Sequence, residues 1–333
     1  MRRVFCLLMV LPVFGFFTFP LAAAEKMTFV LGWVPYGRDA GFFTALDKGF
    51  FKKAGLDVTI TRGFGGQPNI ERIGSGKAEF VFGDTGSLLF GRAKGLKLRQ
   101  TAMVHSKAPY VLFTFKGLGV EKPKDLEGKI IATQAREAGH VVFPALMSIN
   151  GVDEKKIKFL TVAAPNKLPS LLAGKADATM EFATSWPNYQ MAAEKAGKTL
   201  LTHYYSDWGL DIYSAGLTTT DEIIAKKPAL VRGFVEAAMR GVAYGVEHPK
   251  EAVGNFMRHF PEQNSRIAAG AWKITIGLLY DQGAEKDGIG YMTKKKMTYT
   301  RDLLTKYQKI SVRVPVEDLY TNRFLPKLFP KRP

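Results

Sequence analysis

From Met27 to Thr218 short β-rich runs alternate with helical segments, and the alternation occurs in two successive blocks. Nothing else in the chain restricts its fold as much. Strands linked one after another through helices build layered α/β units around a largely parallel sheet. In the first block strands are expected at Met27–Trp33, around Val58 and Ile60, and at Glu79–Gly83, Leu98–Val104 and Tyr110–Phe115. In the second they are expected at Lys129–Thr133, Lys158–Val162, Ala176–Phe182 and Thr199–Tyr204, with Ser214–Thr218 as a return strand. Asp39 stands where a helix cap belongs, and Phe42, Phe43, Leu46 and Phe50 form one apolar stripe behind it. Further helices are read at Pro68–Gly74, Ser87–Lys94, Gly139–Asn150, Leu168–Ala173 and Pro187–Ala196. After Thr218 the pattern turns helical. Pro228 opens a helix that buries Val231, Phe234, Val235, Ala238, Met239 and Val242, and others follow at Ala252–Arg258, Ile267–Leu279 and Arg301–Tyr307.

An internal echo ties the two blocks together. Ile73-Gly-Ser-Gly-Lys-Ala-Glu-Phe80 is matched 98 residues later by Leu171-Leu-Ala-Gly-Lys-Ala-Asp-Ala178. Each copy reads as a helix end, a glycine stop and a strand start. With the repeated β/α order, the echo implies two similar lobes with a cleft between them, where small ligands bind and hinge closure encloses them.

The first 24 residues read as a secretory signal. Arg2 and Arg3 are followed by an apolar run from Val4 to Phe19 and by Ala22-Ala23-Ala24, which suits a signal peptidase. Cys6, the single cysteine, lies at the start of this run, so the processed chain is expected to hold no disulfide and no thiol nucleophile. The formal charge is +17, or +15 once the two leader arginines are removed. Much of it sits in residues 294–333, with eleven Lys or Arg against three acids, and it reads as a solvated basic face. No nucleic-acid motif accompanies it, so no nucleic-acid partner is expected.

Catalytic patterns are missing as well. The sequence has no G-x-S-x-G, H-E-x-x-H, G-x-x-x-x-G-K-[ST] or C-x-x-C, and its five histidines show no metal-ligand spacing. No catalytic residue, metal or cofactor is therefore called.

The opening of the processed chain carries a family resemblance. Leu31-Gly-Trp-Val-Pro-Tyr36, Ala40-Gly-Phe-Phe-Thr-Ala45 and Lys48-Gly-Phe-Phe-Lys-Lys-Ala-Gly-Leu-Asp-Val58 resemble the start of the SsuA/THI5-like (NMT1-type) periplasmic solute-binding proteins. Ser75–Phe80 and Lys122–Lys129 resemble the same family. The resemblance implies an α/β, two-lobed, type II periplasmic-binding-protein fold with a central cleft and a helical C-terminal part packed on lobe I. It divides the chain into a signal (1–24), lobe I (25–116), lobe II (117–211) and a lobe I return with C-terminal helices (212–333). It further implies a monomer in the periplasm that delivers a small organic solute to an ABC permease. The family also includes pyrimidine synthases of thiamine biosynthesis, which carry a cysteine-rich motif and act inside cells. The export signal and the cysteine-free processed chain argue against that activity here.

Candidate ligand contacts fall on loops just past strand ends, where open α/β sheets bind ligands. In lobe I they are Trp33, Tyr36, Gly37, Arg38 and Asp39, the glycine-rich turn at Phe64 and Gly65, and Asp84 and Thr85. Trp33 stacks a flat ligand or fills the core. Asp84 and Thr85 bond a ligand or cap the next helix. In lobe II the candidates are Gln134, Arg136 and Glu137, where the resemblance places a helix-start loop, then Glu181 after the next strand, and Trp186. Trp33, Tyr36 and Glu181 lean towards a heterocycle such as a pyrimidine-like thiamine precursor. Arg38, Arg62 and Arg136 lean towards an aliphatic sulfonate or another organic anion.

Overall fold

The computed structural model describes residues 24–135 and 137–332. The expected signal segment up to Ala23, with Cys6, and Arg136 therefore lie outside the described residues.

Ten strands form two five-stranded sheets. They are β1 (Glu25–Val30), β2 (Leu56–Thr61), β3 (Phe80–Asp84), β4 (Leu98–Met103), β5 (Tyr110–Phe115), β6 (Ile130–Thr133), β7 (Lys158–Thr161), β8 (Ala178–Phe182), β9 (Leu200–Tyr204) and β10 (Ala215–Thr220). The first sheet has the order β2-β1-β3-β10-β4 and the second β7-β6-β8-β5-β9. The two orders are equivalent, strand for strand. In each sheet four strands run in one direction, and the strand that arrives from the other lobe, fourth in the order, is antiparallel to both of its neighbours. The expectation of largely parallel sheets thus holds for four strands of each five, with β10 and β5 as the exceptions.

The internal echo marks one structural device used twice. Gly76 and Gly174 turn the chain at φ of 71° and 68°, left-handed values that suit glycine. The acid three residues later then fixes the lobe's leading strand. Glu79 accepts the Thr28 N–H at 2.7 Å, and Asp177 accepts the Ile130 N–H at 2.8 Å. A threonine of the antiparallel strand closes each unit: Thr219 donates to the Glu79 carbonyl and Thr114 to the Asp177 carbonyl, both at 2.7 Å.

One boundary needs correction. The division at residue 116 places Tyr110–Phe115 in lobe I, but β5 pairs with β8 and β9 in the second sheet. The chain crosses between lobes in the short segment 104–109. The glycine- and proline-rich stretch after Lys116 is a turn inside lobe II. All six residues of β5 are buried.

Other differences are local. The Phe-rich stripe is carried by two helices, Ala40–Asp47 and Phe50–Lys53, separated at Gly49 with φ 68°. Asp39 makes no capping bond to the first of them. The helix read at Arg301–Tyr307 begins earlier, at Lys294, because the Thr293 hydroxyl accepts the Lys296 N–H. Two further short helices, Asp221–Lys226 and Gln282–Asp287, are each opened by a capping side chain, Thr220 and Asp281.

The lobe I core lies between its sheet and the helices Ala40–Asp47, Pro228–Glu247, Pro249–His259 and Ser265–Leu278. Phe29 meets Phe42 and Phe234 edge-on at 5.0 and 5.1 Å. Ala40–Asp47 can lie close on Pro228–Glu247 because Gly41 faces Val242 and Gly241 faces the Gly41 carbonyl; a Cβ on Gly241 would fall 2.4 Å from that oxygen. The helix Lys294–Gln308 packs on both lobes, touching Thr85–Ala93 of the first and Ala138–Ile149 of the second. Among the described residues no helix is long and apolar enough to cross a membrane.

Candidate functional site

The carboxyl ends of the two sheets meet across a cleft. Tyr36, in the loop after β1, shares a 2.7 Å hydrogen bond with Thr184, which follows β8 in the other lobe. Close contacts hold the loop carrying Tyr36. Asp39 accepts the Tyr36 N–H at 3.1 Å. Gly37 sits so close to the helix Ser265–Leu278 that a Cβ would lie 2.1 Å from the Ala268 carbonyl oxygen. Arg38 lays its guanidinium 4.5 Å from the Tyr36 ring centroid and 5.7 Å from that of Phe82, with Nε 3.5 Å from Asp39. Burial raises the Asp39 carboxyl to about 6, although Arg38 opposes the rise. His105, in the interlobe crossing, is buried edge-on against Phe82, and burial followed by Arg38 pushes it down to about 3. It is neutral at pH 7, and neither ring nitrogen has a hydrogen-bond partner.

Two aromatic side chains stand exposed at the same edge of lobe I. Trp33 is 47% and Phe64 51% exposed. Gly65, at φ 89°, lies under the indole: a Cβ there would come 3.3 Å from the Trp33 ring. Arg62 sits over Phe64 at 4.6 Å. Keeping such apolar faces in water is unfavourable, and a flat partner that covers them removes that cost.

Asp84 and Thr85 are committed within lobe I. The Asp84 carboxylate caps the helix Thr85–Ala93, accepting the Ser87 N–H at 2.8 Å and the Ser87 hydroxyl at 2.6 Å. Thr85 is buried and donates its hydroxyl to Gln100 and to the Ser214 carbonyl.

Lobe II presents a buried ionic cluster. Lys167, 3% exposed, donates to Glu137 at 2.7 Å and to the Met180 carbonyl at 2.7 Å, and lies 3.0 Å from Glu181. Glu137 precedes the helix Ala138–Ile149 but turns back, accepting the Thr133 hydroxyl at 2.5 Å and the Gln134 N–H at 3.1 Å. Glu181 also accepts from Tyr189 at 3.0 Å, and from Ser185 and the Phe182 N–H at 3.2 Å each. Gln134 is exposed and meets this cluster through its backbone N–H. Trp186 is half-buried against the lobe II core. Among the described residues no group of His, Cys, Asp and Glu is placed to hold a metal ion.

This two-lobed arrangement has known counterparts. Residues 38–252 match the family described as NMT1/THI5 like. The chain belongs to that family. Its relatives include the riboflavin-binding protein RibY of Chloroflexus aurantiacus, 22% identical over 91% of this chain and 86% of that protein. A formylaminopyrimidine-binding protein of Halalkalibacterium halodurans is 20% identical over 80% of each. Also similar is a 4-amino-5-hydroxymethyl-2-methylpyrimidine phosphate synthase of Legionella pneumophila, 22% identical over 91% of this chain and 93% of that one. Among solved structures, the periplasmic aliphatic sulphonate binding protein SsuA of Escherichia coli superposes with a TM-score of 0.69 at 12% identity, over 92% of this chain and 93% of that chain. The fold is therefore the two-lobed periplasmic-binding-protein fold.

Within this NMT1/THI5-like fold the sequence-derived residues form two groups. Trp33, Tyr36, Gly37, Arg38, Asp39, Phe64 and Gly65 gather at the carboxyl edge of lobe I, and Glu137 and Glu181 gather in lobe II. Lys167, Tyr189 and His105 carried no local signal. Lys167 opens a short helix in a lysine-rich chain, and only the fold brings it between two acids.

Proposed function

We propose that the protein is a periplasmic solute-binding protein that captures a small heterocycle in its interlobe cleft and hands it to an ABC permease. The observation that carries this reading is the pairing of an exposed aromatic edge on lobe I, Trp33 with Phe64, with a cross-cleft hydrogen bond from Tyr36 to Thr184. The first offers a stacking face for a flat ligand, and the second ties the lobes over it. Closure favours whichever state holds the ligand by more contacts. Relatives that bind riboflavin and formylaminopyrimidine support a heterocycle. An export signal at residues 1–24 supports the periplasm.

An organic anion is the second reading, favoured by Arg38. Its guanidinium, however, is already paired with Asp39, and Arg62 stands exposed on the rim. A pyrimidine synthase is the remaining one, and the single cysteine, Cys6, sits in the expected leader.

Replacing Trp33 with alanine tests the reading. Because the side chain is half-exposed, the melting temperature should stay within about 2 °C of the parent, as for surface substitutions. Affinity for a heterocycle that the parent binds should fall tenfold or more, measured by calorimetry. Unchanged affinity would remove Trp33 from the site.

A further inference from the structure

The lobe II cluster says more about the ligand than the aromatic edge does. Its charges do not balance: one ammonium, Lys167, serves two carboxylates, Glu137 and Glu181. All three side chains are buried, with 3%, 10% and 12% of their surfaces exposed. The Lys167 ammonium has three protons, and all are used by Glu137, Glu181 and the Met180 carbonyl. The two acids come from different elements, one from the loop after β6 and one from the end of β8. Their mutual placement therefore depends on the lysine between them.

We propose that Lys167 is the positioning residue of the lobe II half of the site, fixing Glu137 and Glu181 as a net negative, acceptor-rich wall that selects ligands bearing N–H donors or positive charge over organic anions. This rests on the solute-binding reading and deepens it by naming the ligand's polarity. Glu181 accepts the hydroxyl of Ser185, the residue next to the Thr184 that bonds Tyr36, which places the carboxylate beside the cross-cleft contact. Four donors already use its oxygens, which is about the capacity of a carboxylate. The Ser185 hydroxyl is one of the two longest of these contacts and sits on a side chain free to rotate. It is the partner that a ligand N–H would replace. An anion, by contrast, would approach two negative groups with one positive group between them, in a site where water screens little.

Other titratable groups surround the cluster. His140, from the helix Ala138–Ile149, shares a 3.0 Å contact with the Thr133 hydroxyl and stacks on Phe159 at 4.8 Å. Tyr189 bonds Glu181. Tyr205, buried just past β9, feels the Glu137 charge, and Tyr36, with Arg38 over its ring, approaches from lobe I through its bond to Thr184. Burial raises all three tyrosines well above neutrality, so they stay uncharged across pH 5–8. His140 and Asp39, the latter raised to about 6, are present in every variant and form a common background.

The test compares the whole protein with Lys167→Met and Lys167→Arg. Carboxyl titration by carbon NMR on glutamate-labelled protein requires no ligand. In Lys167→Met the two acids face each other without a cation, and one of them should titrate more than one unit higher than in the parent; Lys167→Arg should restore the parent behaviour. Affinity is then measured from pH 5 to 8 for 4-aminopyrimidine, riboflavin and methanesulfonate. The parent should bind one of the heterocycles at least tenfold more tightly than methanesulfonate. Lys167→Met should come within a few fold of the parent at pH 5, where a shared proton stands in for the lysine, and should lose a further tenfold or more by pH 8. Should Lys167→Met fail to fold, Lys167→Arg with Glu181→Gln supplies the comparison, since Glu181→Gln should narrow the preference over methanesulfonate. Identical titration in parent and Lys167→Met, or an affinity loss of equal size at every pH, would overturn the positioning role. A parent that binds methanesulfonate more tightly than both heterocycles would overturn the selectivity. A parent that binds none of the three but shows the titration change would count against these probes as its solutes while upholding the positioning by Lys167.

Discussion

Asp39 shows how a residue can be visible in sequence and misread in role. Its position before an apolar stripe fits a helix cap, but the carboxylate instead takes the Tyr36 N–H and faces Arg38 in a fully buried setting. The consequence is a pH dependence with a definite sign. An acid whose folded value is raised, here from 3.8 to about 6, favours the fold while protonated, and that contribution is lost as pH rises from about 4 through 6. Asp39→Asn removes this titration. The stability of the variant relative to the parent should therefore climb between pH 4 and pH 6.5, by up to about 3 kcal/mol for a shift of this size, in urea titrations run at each pH. A constant difference across that range would show that Asp39 does not titrate there. Trp33, Tyr36 and Glu181 were legible because each lies at or just past the end of a recognisable strand. Lys167 and His105 were not, because their partners lie 14 to 67 residues away along the chain and only tertiary structure joins them.

At the level of elements, the strands and most helices follow from local pattern, since apolar periodicity and glycine stops act over a few residues. Sheet membership does not. Tyr110–Phe115 reads as a strand from its own residues, yet whether it belongs to the first or second sheet depends on where the chain crosses, and that crossing has no composition mark. The echo, by contrast, proved to be more than a common turn. Because Glu79 and Asp177 hold the leading strands by equivalent bonds, Glu79→Ala and Asp177→Ala should each cost about 1–2 kcal/mol by leaving a strand N–H unpaired. The two sites lie in different sheets, so the double variant should lose the sum to within about 0.5 kcal/mol. Urea unfolding of the three variants checks this. A double variant no weaker than either single would mean that the two units do not act alike.

On the scale of the molecule, the lobes meet outside the cleft as well as in it. The helix Ser265–Leu278 packs against lobe I and also touches Ala183–Ser185 and Trp186–Lys195 of lobe II. Gly270 lies so close to Pro187 that a Cβ would come 2.5 Å from its ring, and Ile274 packs on the lobe II core. A side chain at Gly270 has no room in this arrangement. Gly270→Leu should hold the lobes apart, giving a larger radius of gyration by small-angle X-ray scattering and weaker ligand binding. A radius and affinity equal to the parent's would show that this contact does not govern closure. The two-lobed plan was legible from the repeated β/α order, whereas this second interface was not, because it joins segments about 80 residues apart.

The central claim is that the cleft captures a donor-bearing heterocycle, and a thermal-shift series on the purified protein tests it most directly. A ligand that binds only the folded state raises the melting temperature as its concentration exceeds its dissociation constant. Aminopyrimidines, flavins, sulfonates and aromatic carboxylates form the panel, and mass spectrometry of the denatured protein detects any solute carried through purification. The account predicts a concentration-dependent rise with an aminopyrimidine or a flavin, or such a heterocycle already bound, and no rise with the sulfonates. A rise confined to sulfonates or carboxylates would contradict it, as would a protein that arrives empty and responds to none of the panel.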